Sequence, residues 1–346
     1  MKELVRRIIT DKDETRAGAL LKPALALLSF IYAGFVLLAQ ILYRAGFLPS
    51  YRPKYPVISV GNITRGGVGK TPLVMFLARS LEARGLRPIV LTRGYMGSGD
   101  AGVHPSDEAA MISGKLNAAV MVNPDRVMAA RNAEACAMGN AFILDDGFQH
   151  ARLKRDLDIV AIDATNAFGN GYLLPRGILR EPLRALARAD LFVLTKTDLG
   201  REHVAAIRRT LEQIKPGVLV VETVHAPVAV HDAWGATRGD GLASLQDRVV
   251  GLCAIGSQDT FMATLGGAGA RVEKMCAFDD HHMYAPEDVA GVVAFCVERK
   301  IGKIVTTEKD AVKLRGFQEV FRGVSLLVVE IEIKVVHGQT EFFSRV

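Results

Sequence analysis

From Gly61 to Thr71 the chain reads GNITRGGVGKT, between an apolar run (PVISV) and an apolar helical stretch. A segment of this kind has few possible homes. Polyphosphate oxygens need several backbone N–H groups turned inward, and glycines allow this because they accept positive φ and let the chain approach closely. The N-terminus of the following helix adds its dipole. Lys70 is placed to reach the β- and γ-phosphates, the Thr71 hydroxyl to ligate Mg²⁺, and Pro72 suits a first helical turn, where its missing donor costs nothing. Against the pattern GxxxxGK[ST] the first glycine position falls on Thr64, and Gly66 and Gly67 are extra. The stretch expected to hold the nucleotide is Thr64, Arg65, Gly66, Gly67, Val68, Gly69, Lys70 and Thr71, with ATP and Mg²⁺ as cofactors.

The rest of the chain agrees with a strand–loop–helix unit. PIVLT (from Pro88), AAVMV (from Ala118), AFILDD (from Ala141), LDIVAID (from Leu157) and LFVLT (from Leu191) are short, near-continuous apolar runs, with helical stretches such as Asp125 to Met138 between several of them. Such alternation predicts a mostly parallel sheet covered by helices on both faces, with ligands collecting at the loops after the strands. A second block begins near Val249, with VVGLCAIG, RVEKMCAF, KIVTT and VSLLVVEIEI. The Gly- and Asp-rich stretch from His231 to Asp247 marks a soft boundary. The expected fold is α/β and P-loop kinase-like: an N-terminal apolar membrane-associated segment (1–54), a nucleotide-binding domain (55–235) and a smaller α/β domain (236–346) that contributes to the cleft.

From Pro23 to Tyr43 the sequence carries no charge, and a helix of that length approaches the thickness of a bilayer's hydrocarbon core. Basic residues flank it on both sides (Lys2, Arg6, Arg7, Lys12, Arg16 and Lys22 before; Arg44, Arg52 and Lys54 after), which disfavours translocating either flank. The segment is therefore expected to lie, as one helix or a helical hairpin, in the cytoplasmic face of a membrane with its basic flanks on anionic headgroups. A buried core helix is the other reading.

ILDDGFQH, from Ile143 to His150, puts two carboxylates directly after an apolar strand, where an acid must sit to share Mg²⁺ with the loop threonine. Neighbouring strand residues point to opposite faces, so one of Asp145 and Asp146 is expected to reach the metal. DDHHMY, from Asp279, offers a His–carboxylate pair for proton transfer or metal binding. TKTD, from Thr195, resembles the base-reading NKxD of GTPases without its asparagine, which argues against guanine specificity, and TTEKDA, from Thr306, is a further polar strand-end turn. Lysine and arginine outnumber aspartate and glutamate, 43 to 37, an excess that suits an anionic partner. No aromatic–basic run or Cys/His finger points to nucleic acid, no protein partner is implied, and the four scattered cysteines lack CxxC spacing, against a disulfide framework or zinc module.

The loop leaves two readings open. RGGVGKT differs by one residue from the KGGxGKT of membrane-associated partitioning and septum-site ATPases, with Arg65 at their signature lysine. The motifs taken in order, SVGNITRGGVGKTP, LTRGY, SDEA, ILDDGFQH, YLLPRGILREPL (from Tyr172), FDDHH and VTTEKDAVKL, instead resemble the tetraacyldisaccharide 4′-kinases of lipid A biosynthesis. That resemblance implies a membrane-associated enzyme of Gram-negative bacteria at the cytoplasmic face, which transfers the ATP γ-phosphoryl group to the 4′-hydroxyl of a tetraacylated glucosamine disaccharide 1-phosphate. It implies Asp107, paired with His281, as the acceptor of the hydroxyl proton, Lys70 as a catalytic cation, Thr71 with Asp145 or Asp146 at the metal, and Arg93, Tyr95, Arg126 and His150 at the substrate. Arg176 and Ile178 stand where the family more often has the Ala and Pro of LLPAGPLREP.

Overall fold

The computed structural model describes residues 7–9, 11, 13, 15–94, 107–235, 241–279 and 282–346. It divides into two compact units that are discontinuous in sequence. One comprises Met1–Val103, Leu116–Val224 and Val335–Val346; the other comprises His104–Lys115 and His225–Lys334. The divisions expected at 54/55 and 235/236 are contiguous; this partition places its main boundary at 224/225 and also differs at the segments His104–Lys115 and Val335–Val346.

The first unit is built on parallel strands β1 (Val57–Gly61), β2 (Pro88–Thr92), β3 (Ala119–Val122), β4 (Ala141–Asp145), β5 (Leu157–Asp163), β6 (Leu191–Thr195) and the start of β7 (Leu219–Asp232), in the order β3-β2-β4-β1-β5-β6-β7. Val57 pairs with Phe142, and Ile159 with Leu191. Strands β1, β2, β4 and β6 are buried along their length because helices take both faces, while the edge strand β3 is half-buried throughout. Helix α4 (Arg126–Ala135) packs Ala129, Ala130 and Ala133 on Val57, Ile89, Leu91, Phe142 and Leu144. Helix α5 (Arg201–Ile214) packs Ile207 and Leu211 with Val160, Ile162, Phe192 and Leu194. The alternate strand residues, among them Val60, Val90 and Ile143, are left for helix α2 (Lys70–Glu82), which lies against β1, β2 and β4. The C-terminal helix α9 (Gln339–Arg345) docks on α2, the Phe342 ring centroid lying 5.8 Å from that of Phe76.

Ahead of the sheet runs a single helix, α1 (Arg16–Arg44), capped by the Thr15 hydroxyl and continuing through Pro23. One side of it is polar and bonded to the protein: Ser29 Oγ donates to the Leu173 carbonyl (2.8 Å) and Tyr32 OH to the Arg180 carbonyl (3.0 Å), while Gln40 bonds Glu181. The other side is bare and apolar, with Leu20, Phe30 and Phe35 each more than two-thirds exposed. The buried-core reading of this helix is overturned: only 6% of its apolar window is buried. A single helix, not a hairpin, forms: Arg16 to Arg44 is continuous, with Pro23 accommodated inside it.

In the second unit the parallel order is β11-β10-β8-β9, from β8 (Arg248–Cys253), β9 (Arg271–Ala277), β10 (Lys303–Thr307) and β11 (Ser325–His337). Helices α3 (Asp107–Lys115), α6 (Gln258–Gly267), α7 (Pro286–Arg299) and α8 (Glu308–Leu314) accompany it, α3 packing on α8. The TTEKDA turn is a helix cap. Thr307 accepts from the Asp310 amide (3.1 Å), and the fully buried Asp310 carboxylate accepts from Thr307 Oγ1 (2.7 Å) and the Ala254 amide (3.1 Å). Helix α5 and strand β7 are elements that the sequence reading does not anticipate.

Candidate nucleotide and acceptor site

Strand β1 ends against the backbone of Phe148: a Cβ on Gly61 would stand 2.5 Å from the Phe148 nitrogen, so no other residue fits. That close approach lays the ILDDGFQH turn beside the glycine loop. Thr64 bridges Leu179 and is buried, while the amide of the exposed Arg65 donates to the Ile178 carbonyl (2.7 Å). Gly66 has φ +131° and Gly69 φ +84°, values that a β-carbon would oppose. Gly67 is exposed, Val68 buries its side chain (4% exposed), and Gly69 caps α2, whose first two residues are Lys70 and Thr71.

Lys70 points back across the loop. Its Nζ donates to Asn62 Oδ1 (3.0 Å) and lies 3.3 Å from Asp146 Oδ1. Arg180 Nη1 binds the same carboxylate at 2.9 and 3.0 Å. Burial pushes the Asp146 carboxyl up, but Lys70 and Arg180 outweigh it and hold the group below its ordinary range. Asp146 adopts φ +52°, which turns it out of the strand. Asp145 keeps strand geometry, is 7% exposed and accepts from Thr92 Oγ1 (3.1 Å); by alternation it shares the α2 face of the sheet with Ile143. The two carboxylates therefore do different things: Asp146 gathers cations and Asp145 lies on the sheet beneath the loop.

Next to them is a cationic cluster. Asp125 caps α4 by accepting from the Val127 and Met128 amides (3.0 and 3.2 Å), which fixes Arg126 in the first turn. Arg126 is 9% exposed, donates to the Pro124 carbonyl (3.1 Å), and its buried Nε has no hydrogen-bond partner. Burial and then the nearby, exposed Arg93 lower its basicity, while Asp146, Asp145 and Asp125 oppose them. His150 Nε2 is likewise buried and unbonded, and burial, then Arg126, Arg152 and Arg155, push the imidazole down to about 4. His150 is thus neutral at physiological pH and offers a hydrogen bond, not a charge. Buried donors without partners call for a ligand or water.

Arg180, Asn62 and Gln149 belong to this constellation although the sequence reading gives them no role. Gln149 ties the turn to the loop through Nε2 to the Asn62 carbonyl (3.0 Å), and Arg180 Nη1 reaches Gln149 Oε1 (3.3 Å). Their signal was their presence inside GNIT, GFQH and ILREP. Between α1 and this edge opens a cavity of about 520 Å³, lined by Tyr32, Val36, Tyr43, Phe148, Arg180 and Arg188 among others, a mixture of apolar and cationic side chains.

Of the remaining candidates, Tyr95 and His281 lie outside the described residues, and Asp107 is the first residue of α3. The neighbouring His282 binds Asp288 through Nε2 (2.8 Å) and stacks on Phe278 at 4.7 Å. Among the described residues no group of three or more His, Cys, Asp or Glu side chains could hold a metal unaided. The hydroxyl of Thr71 with a carboxylate of Asp145 or Asp146 is a hard-oxygen set that fits Mg²⁺, an ion that keeps phosphate and water oxygens in its shell.

A glycine loop at a helix N-terminus, its lysine held against a strand-end aspartate on a parallel α/β sheet, defines a P-loop phosphotransferase of the kinase-like class. The sequence profile described as Tetraacyldisaccharide-1-P 4′-kinase matches residues 21–346, and the chain belongs to that family. It is 38% identical over 93% of its length to the tetraacyldisaccharide 4′-kinase of Anaeromyxobacter dehalogenans strain 2CP-C, covering 89% of that protein. It is 35% identical over 96% of its length to that of Syntrophus aciditrophicus strain SB, covering 95% of it. Its fold is similar to the crystal structure of LpxK from Aquifex aeolicus in complex with ATP, with TM-score 0.68, 26% identity, and coverage of 94% of this chain and 98% of that one. The partitioning-ATPase reading of the loop gives way to these matches, which span nearly the whole chain.

Proposed function

We propose that the protein transfers the γ-phosphoryl group of ATP to the 4′-hydroxyl of a tetraacylated glucosamine disaccharide 1-phosphate, making the bisphosphorylated lipid of lipid A biosynthesis. The observation that carries this reading is Lys70, held between Asn62 and Asp146 at the mouth of the glycine loop, within a chain of this family. Phosphoryl transfer passes through a loose transition state, so the protein's work is positioning and charge stabilisation. Lys70 and the amides of the loop from Thr64 to Thr71 bear the phosphate charge. Thr71 with Asp145 or Asp146 would hold Mg²⁺, which would supply neutralisation of the phosphate charge. Strand alternation favours Asp145 as that ligand, since Asp146 is already engaged by two cations.

Asp107 takes the proton of the attacking hydroxyl, and His281 keeps its carboxylate oriented and ionised. Arg93, Tyr95, Arg126 and His150 contact the acceptor; the unbonded Arg126 Nε and His150 Nε2 support an anionic or hydroxyl-rich ligand there. The cavity beside α1 suits the acyl-bearing end of the acceptor. Each buried CH₂ of an acyl chain is worth ~0.8 kcal/mol, so the lipid stays in its bilayer and the enzyme must come to it. The bare apolar side of α1 and its basic flanks dock on the cytoplasmic face of the inner membrane, peripherally or monotopically.

The decisive test is incubation of the purified protein with γ-labelled ATP, Mg²⁺ and the lipid acceptor. Labelled lipid is expected; ATP hydrolysis without any labelled lipid would overturn the reading.

A further inference from the structure

The TKTD turn at the end of β6 is bonded to the glycine loop. Thr195 is fully buried, and its hydroxyl donates to the Val68 carbonyl (2.8 Å) and, more weakly, lies 3.4 Å from the Ile162 carbonyl. Lys196, 3% exposed, donates from Nζ to the Gly67 carbonyl (3.1 Å) and pairs with Asp163 at the end of β5 (2.5 Å). Two successive carbonyls of the glycine loop are thus taken up by two successive side chains of one strand end. The strand end is itself immobilised. Thr197 hydrogen-bonds the Thr223 carbonyl through its amide and its hydroxyl (3.1 and 3.2 Å), and a Cβ on Gly200 would stand 2.4 Å from the Ala164 backbone. Lys196 adopts φ +56°, a left-handed conformation that costs a side-chain-bearing residue.

A loop that cradles phosphate must turn its amides inward, which turns carbonyls outward and leaves them needing donors. Burying an ammonium–carboxylate pair is expensive in desolvation and stabilises a fold poorly, so packing alone is a weak reason for Lys196 and Asp163. We propose that Thr195 and Lys196, with Asp163 holding Lys196, are positioning residues for ATP: they fasten the Gly67 and Val68 carbonyls outward and thereby keep the loop amides aimed at the phosphates. This deepens the nucleotide reading above and rests on it.

The test is ATP affinity, read by titration with a fluorescent ATP analogue, beside the melting temperature of the nucleotide-free protein. Thr195→Val removes the hydroxyl at constant shape. It is expected to weaken ATP binding roughly three- to tenfold, the worth of one buried hydrogen bond, beside some loss of melting temperature and with no change in KM for the lipid acceptor. Thr195→Ser, which keeps the donor, restores the affinity. Asp163→Asn, which frees Lys196 from its counter-ion, is the second arm and weakens ATP binding in the same way. A lower melting temperature with native ATP affinity in these variants makes the turn merely structural and overturns the proposal. Lys70→Ala separates the two ideas: native affinity in Thr195→Val and Asp163→Asn beside weakened affinity in Lys70→Ala defeats the positioning role alone, whereas native affinity in all three defeats the nucleotide reading as well.

Discussion

Lys70 and Asp146 are 3.3 Å apart, the lysine at the first turn of α2 and the aspartate just beyond the end of β4. With Arg180 on the other side of the same carboxylate, the lysine proposed above to bind phosphate is parked on an anion. On the proposed reading, a triphosphate entering the loop would compete with Asp146 for an ammonium that is already oriented. Lys70→Ala is expected to lower transfer to lipid by roughly two to three orders of magnitude, the usual cost of one preorganised charge donor. A radiolabelled-lipid assay checks it, with circular dichroism confirming the fold.

Asp107→Ala should also remove most activity, on the scale of ~10²–10⁴ for a general base, while leaving ATP affinity intact. Full transfer activity in this variant would take Asp107 out of the proton-accepting role.

Arg180 touches both Asp146 and Gln149 and lines the cavity beside α1. Arg180→Ala is expected to raise KM for the lipid acceptor about tenfold, the size of a lost charge-assisted hydrogen bond, and to raise KM for ATP less. Steady-state kinetics with each substrate varied in turn measures the split.

His150 gives a pH signature. Its folded imidazole titrates near 4, against 6.5 for an unperturbed histidine. Between those values the unfolded chain binds a proton that the folded chain refuses, so this group's contribution to stability falls as pH drops through that window. Asp158, pushed by burial up to about 6, acts with the opposite sign, its contribution falling as pH rises from the ordinary carboxylate range towards 6. The comparison with His150→Asn isolates the histidine. Urea midpoints at pH 7.5 and 5.5 should fall further on acidification in the native protein than in the variant.

Phe30 and Phe35 lie on the bare side of α1, 73% and 68% exposed. Replacing both with aspartate is expected to reduce co-sedimentation with anionic liposomes severalfold, because apolar burial at the interface drives such binding, and to leave the melting temperature unchanged, since neither ring packs on the protein. Undiminished recovery would defeat membrane docking by this helix.

Much of this was legible in the chain. The parallel strands from Val57 to Thr195 and the loop from Gly61 to Thr71 follow from local pattern: apolar runs of strand length, glycines where amides must turn in, and a lysine and threonine at a helix start. Motif order carried the family. Less legible was anything that depends on partners distant in sequence. Nothing in ILREP says that Arg180 will meet Asp146, and two adjacent aspartates look equivalent until φ +52° turns one out of the strand. Strand β7, which carries the chain from one compact unit towards the other, opens on the apolar residues Leu219 to Val221 and then runs into Glu222, Thr223 and His225, which blurs its length.

By itself, then, the sequence determined the chemistry available and the elements that bear it, because hydrophobic period, turn residues and helix starts act over a few neighbours. Tertiary structure alone decided the pairings. It directed Ser29, Tyr32 and Gln40 of an apparently uniform apolar helix inward to the backbone and side chains of residues 173–181, and it spent Thr195 and Lys196 on the glycine loop. Hydrogen bonds and ion pairs depend on ångström-scale approach between residues over a hundred positions apart, and no local pattern encodes that distance.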